Sequence, residues 1–287
     1  MTIHSRELHL RRFLLLPALL FVFHALSPAV HAQKPLLSFG VFSDVQWADR
    51  DAEGSRDYRG SRDRFRQIVA ALNIERVAFS VQLGDFIDGW DTDSVRSGRD
   101  LDSVLRVSKA FKGKLMHVAG NHDHRAGANI LRKKWKLKSL YYDFAIPASK
   151  GWRFVVLDAN DGAGATIGEK QLAWFSKTLS TAKKKRERVI VFCHYPLLRE
   201  AAPNHRLDNP EPILSMLDSA ACVVAWIAGH DHAGGYTEYK GVHHITLRAV
   251  VEYPQKTPFA VVNLYADKLV ELGFGAEQVR VCPIKDR

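Results

Sequence analysis

Cysteine is scarce: the 287-residue chain has three, Cys193, Cys222 and Cys282, an odd number without tight spacing. That excludes a disulfide-framed fold and a cysteine zinc knuckle. Two of the three lie in apolar runs, where a small buried thiol is ordinary. Low-complexity tracts and internal repeats are also missing, which leaves the composition of an ordinary globular protein. A chain of this length suits one large domain with a substantial core. No apolar run reaches the ~20 residues that a bilayer span requires, so stable membrane insertion is not expected. Nor is there a module of interleaved aromatic and basic residues of the kind that binds single strands, so no specific nucleic-acid partner is expected.

What is present begins with a targeting signal. Arg11-Arg12 precede an apolar run from Phe13 to Leu26, and Val30-His31-Ala32 forms a small-x-small cleavage site. Residues 1–32 read as a secretory signal peptide, so an exported product, periplasmic or secreted, is expected to begin near Gln33. The arginine pair also permits twin-arginine export. Cleavage removes three arginines and one glutamate, so the remaining domain, 33–287, keeps +8 of the chain's formal charge of +10. Such a balance favours anionic partners. The runs Lys183-Lys184-Lys185-Arg186 and Arg132-Lys133-Lys134 read as solvated faces.

The chain is organised around Val81-Gln82-Leu83-Gly84-Asp85-Phe86-Ile87-Asp88-Gly89. An apolar run from Val77 stops at Gly-Asp, and a second carboxylate follows three residues later. The same event recurs. Phe39 to Ser43 runs into Asp44-Val45-Gln46, and Leu115 to Val118 into Gly120-Asn121-His122-Asp123. Val189 to Phe192 runs into His194, and Val223 to Ile227 into Gly229-His230-Asp231-His232. Five apolar strands each discharge metal-type ligands at their C-terminal ends.

Between these strands the pattern predicts helices over 57–74, 99–111, 126–135, 168–182 and 211–218. Further strands are expected at 141–146 and 152–157, and four more between 236 and 274. Alternating βα units giving way to a β meander predict an α/β protein with two stacked sheets. Loops are expected at 44–57 and 195–210, the second able to roof a site.

Two carboxylates, two carboxamides and three imidazoles make an O/N set suited to a pair of divalent ions. Two ions about 3.5–4 Å apart clamp a phosphoryl oxygen and activate a bridging water for in-line attack. Asp85 is expected to bridge. One ion would take Asp44, Gln46 and His232; the other would take Asn121, His194 and His230. His122, beside a ligand, is placed to stabilise the transition state or protonate the leaving group, with Asp88 fixing its tautomer.

The order Asp-x-Gln, Gly-Asp-x-x-Asp-Gly, Gly-Asn-His-Asp, His, Gly-His-x-His resembles the calcineurin-like metallophosphoesterases across about residues 36–275. Gln46 replaces the usual histidine of the first motif. In that form, with Tyr58-Arg59 and with Gly241 to Leu247, the chain is similar to the manganese-dependent ADP-ribose/CDP-alcohol diphosphatases. The resemblance implies a four-layer fold, two sheets between helices, and hydrolysis of a nucleoside-diphosphate anhydride. Gln46 fits: an amide oxygen is harder than imidazole and leans toward Mn²⁺, with Mg²⁺, Fe²⁺ or Zn²⁺ as alternatives. Ala225, Ala233 and Arg248 stand where the family tends to carry a cysteine, an acidic residue and a glutamate. The aromatics nearest the ligands, Trp47, Tyr58 and Tyr195, read as packing residues before base-stacking ones. Tyr58, Arg59 and Arg199 are the candidate substrate contacts, though either arginine is as readily a surface ion-pair partner. The expected partner is an anionic phosphorylated small molecule. A general phosphomonoesterase or phosphodiesterase is the alternative, and a non-catalytic polyanion-binding protein the third reading. The oligomeric state is not legible.

Overall fold

The computed structural model describes residues 34–198 and 201–285. The expected signal peptide and Arg199 lie outside them. Pro35–Arg287 forms one compact unit. Its twelve described strands make two six-stranded mixed sheets.

In the first sheet β1 (Leu37–Phe42), β2 (Phe79–Gln82) and β3 (Lys114–His117) run parallel. On the other side of β1, β10 (Phe259–Leu264), β11 (Lys268–Phe274) and β12 (Arg280–Pro283) add antiparallel strands. The second sheet centres on parallel β5 (Trp152–Val156), β6 (Arg188–Phe192), β7 (Val223–Ala228) and β9 (Val242–Thr246). β4 (Tyr142–Phe144) and β8 (Gly235–Tyr239) close its edges antiparallel.

The central strands read as unbroken apolar runs because both of their faces are covered. Phe39, Val41, Phe79 and Val81 of one sheet and Phe154, Val156, Ile190 and Phe192 of the other form a single buried layer. Phe39 stacks on Phe79 at 5.0 Å and meets Phe154 edge-on at 5.8 Å, so an aromatic seam ties sheet to sheet. Each ring so buried contributes roughly 1.5–3 kcal/mol. Helices α1 (Tyr58–Ile74), α2 (Ser94–Ser108) and α4 (Ala128–Trp135) cover the outer face of the first sheet through Phe65, Leu72, Leu101 and Leu131. Helices α5 (Glu169–Lys184) and α6 (Pro210–Ala220) cover the second through Phe175, Leu179, Ile213 and Leu217. The result is the four-layer α/β arrangement the sequence led us to expect.

Three details differ from the sequence reading. Helix α2 starts five residues before the expected 99 and stops at Ser108, because the Asp93 side chain accepts from Arg96 N at 2.8 Å and caps it early. A single helical turn, α3 (Asn121–His124), sits inside the Gly-Asn-His-Asp motif. Strand β12 was not anticipated; it is short, and half of its residues face solvent. Among the described residues no helix is long and apolar enough to cross a membrane.

Candidate metal centre

Parallel strands β1, β2, β3, β6 and β7 all end at one rim, and each releases a polar side chain there. The chain must turn sharply to keep these groups together. Asp44, Gln46, Asp85 and His230 accordingly have left-handed backbone, with φ of 53°, 42°, 50° and 64°. A non-glycine residue held that way costs roughly 1–3 kcal/mol and persists where its surroundings over-determine it. Backbone bonds supply that determination: Asp44 N donates to Gly84 O, and Gln46 N to Asp85 O at 2.8 Å. A Cβ at Gly84 would collide with the His194 ring, and one at Gly229 with Ser43 and Asp44. The glycines before Asp85 and His230 therefore let the two sheets close on the site.

The seven expected ligands converge. Asp85, His194 and His230 each present a donor atom within 4.8 Å of the others. Asp85 Oδ2 lies 3.1 Å from Gln46 Nε2 and 3.4 Å from His194 Nε2. His194 Nε2 is 3.2 Å from Asn121 Oδ1 and 3.1 Å from His230 Nδ1. His232 Nε2 stands 3.5 Å from Asp44 Oδ1. Neighbours fix how these groups face: His194 Nδ1 donates to Leu83 O at 2.9 Å, and His232 Nδ1 to Glu252 at 2.7 Å. Each bond leaves Nε2 toward the cluster. Ser43 Oγ and the His230 amide both donate to Asp44 Oδ2, at 2.5 and 3.0 Å.

The donor set fits cations on the structure's own terms. Asp44 Oδ1 and Gln46 Oε1 are buried without a hydrogen-bond partner, which is costly unless another positive or donor group meets them. Burial opposes charge at both His194 and His232. Even so, Asp85 and Asp44 hold His194 up to about 9, and Asp44 with Glu252 does the same for His232. Burial and the neighbouring His194 push His230 down to about 3. Buried carboxylates that demand this much positive charge, flanked by imidazoles, form a centre for hard-to-borderline divalent ions.

Asp88 and His122 stand beside it. His122 Nδ1 is 2.7 Å from Asp88 O and 3.0 Å from its carboxylate. His122 Nε2 looks toward Asp85, 3.9 Å away. Burial works against charge on His122, but Asp85 and Asp88 raise its pKa above the ordinary value. Asp88 is in turn held by Arg50 at 2.8 Å.

A pocket of about 440 Å³ opens next to His122 and Asp88. Tyr58, itself buried, borders it beneath the Arg50 guanidinium at 4.2 Å. Arg59 does not. One residue further along α1 points elsewhere, and Arg59 is half-exposed in ion pairs with Asp49, at 2.8 Å, and Asp51. The arginines that wall the pocket are Arg50, Arg56 and Arg125.

Several of these functional positions escaped sequence reasoning. Arg50 hides in an ordinary-looking Asp-Arg-Asp run, and Glu252 follows its histidine by twenty residues with no motif. Asp123 had a signal in the motif itself: its carboxylate accepts from Phe86 N, Ile87 N and Gly120 N and so staples two ligand turns. Burial, with Asp85 nearby, pushes it up to about 7.

Parallel strands delivering Asp, Gln, Asn and His to one rim between two sheets define a metal-dependent phosphoesterase architecture. The calcineurin-like phosphoesterase family matches residues 37–234, and the chain belongs to that family of enzymes. It is 31% identical to the manganese-dependent ADP-ribose/CDP-alcohol diphosphatase of Danio rerio, over 85% of this chain and 97% of that protein. It is 30% identical to the protein of the same description from Oryza sativa subsp. japonica, over 85% and 94%. Among solved structures it is similar to a dimetal phosphatase from Danio rerio, with a TM-score of 0.79 at 30% identity, covering 88% of this chain and 100% of that one.

Proposed function

We propose that the protein is an exported, dinuclear metal-dependent hydrolase of the phosphoanhydride in nucleoside-diphosphate compounds of the ADP-ribose or CDP-alcohol type. The arginine-walled pocket beside His122 carries this reading. A monoester needs one phosphate site, whereas a diphosphate needs somewhere for its second phosphate, and Arg50, Arg56 and Arg125 surround such a space. Arg50 and Arg125 pair with Glu53 and Asp91, whose carboxylates are exposed at the rim, so those two contacts are weak and readily exchanged for phosphate. The ion pairs of Arg50 with Asp88 and of Arg56 with Glu252 hold the guanidinium groups in place. The diphosphatase relatives point the same way.

In this reading Asp44, Gln46 and His232 would hold one ion and Asn121, His194 and His230 the other, with Asp85 a ligand common to the two sets. The ions supply Lewis-acid activation of water and charge neutralisation at phosphorus. The remaining work belongs to side chains. The pocket arginines place the non-transferred phosphate, which aligns the anhydride for displacement. His122, its Nδ1–H held by Asp88, acts as the imidazolium that Asp85 and Asp88 favour and gives its Nε2 proton to the leaving phosphate oxygen as the P–O bond breaks. Gln46, the hard oxygen donor, favours Mn²⁺.

A hydrolysis panel tests this: ADP-ribose, CDP-choline, bis(p-nitrophenyl) phosphate and p-nitrophenyl phosphate, each with Mn²⁺, Mg²⁺, Zn²⁺ and Ca²⁺. The anhydrides should give the highest kcat/KM, with Mn²⁺. Preference for p-nitrophenyl phosphate or the diester would replace this reading with that of a general phosphoesterase.

A further inference from the structure

Away from the metal rim, α1 and α2 pack side by side over the first sheet, and arginines line the cleft between them. Arg62 and Arg66 lie one turn apart on α1, and Arg96, Arg99 and Arg106 form a stripe along α2. They surround two adjoining cavities of about 420 and 600 Å³ that share Ser103 and Arg106. Like charges gathered in one cleft repel unless something answers them; Asp63 pairs with Arg66, and Arg106 donates to Ser103 Oγ at 2.8 Å, but the other nearby carboxylates are engaged elsewhere. Asp49 pairs with Arg59 at 2.8 Å, and Asp102 with Lys134 at 2.6 Å. Asp100 accepts from Trp90 Nε1 at 2.7 Å, and burial raises its pKa, which weakens its charge.

Two buried donors in the same place are also unanswered. Arg62 Nε has no hydrogen-bond partner, and neither has the indole Nε1 of Trp47. The Arg62 guanidinium lies 5.1 Å from the centre of the Trp47 ring, and Trp47 lines the smaller cavity with Arg96, Arg99 and Arg106. A buried N–H without an acceptor is rare and costs about 1–3 kcal/mol, so two side by side amid guanidinium groups ask for an acceptor-only ligand.

We propose that the α1/α2 cleft is a second binding site, separate from the metal centre, for a soluble phosphate-bearing anion. An ionised phosphoryl group presents several unprotonated acceptor oxygens at neutral pH and matches the fork geometry of arginine. The donors lie below the surface, with Trp47 only 7% exposed, beyond the reach of a flat bilayer headgroup layer. Trp47 directly follows Gln46, so an occupant here would sit one residue from the metal rim. The inference does not depend on which substrate the centre hydrolyses.

The test is a calorimetric titration of the metal-loaded full chain with inorganic phosphate at fixed ionic strength. It compares wild type with the double variant Arg99→Glu/Arg106→Glu. Both side chains are exposed, so the fold should be retained, and a parallel Arg99→Gln/Arg106→Gln variant guards against a charge-reversal artefact. Two classes of site are expected in wild type. In both variants one class should weaken at least about tenfold per lost bidentate partner, while turnover of bis(p-nitrophenyl) phosphate in phosphate-free buffer stays at the wild-type level. Identical titrations for wild type and variants would overturn the proposal. So would arginine-dependent retention on phosphatidylglycerol vesicles without binding of inorganic phosphate, which would assign the cleft to a membrane surface.

Discussion

Asp85 meets side chains or amides from three other segments: Gln46, His194, and His122 through both its amide and, across 3.9 Å, its ring. If it bridges two ions, its loss cannot be compensated by either half of the site. Asp85→Asn should lower kcat on the order of a thousandfold. Glu252→Gln loosens the orientation of His232 and the hold on Arg56 without removing a ligand, and should cost about ten- to a hundredfold. Steady-state kinetics with bound metal quantified decide the point; near-wild-type turnover of Asp85→Asn with two metals bound would refute the bridging role. Gln46 gives a second expectation. Its Oε1 is the buried, unpartnered oxygen, so Gln46→His should tighten binding of Zn²⁺ and Fe²⁺ relative to Mn²⁺ and alter the ratio of anhydride to diester rates. Unchanged metal profile and unchanged ratio in side-by-side titrations would remove Gln46 from the ligand set. At this scale the ligands were legible because they cluster just past the ends of apolar runs, Asp85, Asn121 and His230 each directly after a glycine. The arginines of the pocket were not, since a charged residue in a loop reads the same whether it faces a substrate or water.

Elements set where these residues go, and β3 shows the cost of doing so. His117 on β3 is buried, stacked on Trp135 of α4 at 4.8 Å. Burial pushes it down from 6.5 to about 3, so it is neutral in the folded protein. Below pH 6.5 the unfolded chain binds a proton there that the folded chain refuses. Stability from this position is therefore intact above that pH and is lost as pH falls toward 3. His117→Phe keeps the ring stack and removes the titration. In urea unfolding, wild type should lose stability relative to His117→Phe with a slope approaching ~1.4 kcal/mol per pH unit below the unfolded pKa. Parallel pH profiles would show that the imidazole is not the titrating group. Strand and helix positions were largely readable, because periodicity survives in a doubly covered sheet. What failed was the start of α2, where a single capping aspartate, Asp93, outweighs the apolar pattern that begins later. The turn α3 also failed, because four residues are too few to show a period.

For the whole molecule, the pairing of two sheets followed from strands that alternate with helices and then with one another, while strand order did not. Placing β10 beside β1 and β9 beside β7 depends on contacts far apart in sequence, which local patterns do not encode. Export remains the expectation for the whole chain. N-terminal sequencing of protein recovered from its native host should begin near Gln33, and an intracellular product beginning at Met1 would overturn it.

The rim where the ligands meet also joins the two sheets. Asp44, Gln46, Asp85 and Asn121 come from the first, His194, His230 and His232 from the second. Cations held by both sets would act as rivets across the seam that the aromatic layer only cements. Because they bind the closed pair of sheets and not the separated chain, every rise in free metal would deepen the folded state by mass action. Resistance to proteolysis would then track metal supply, and a chelator would loosen the protein as well as silence it.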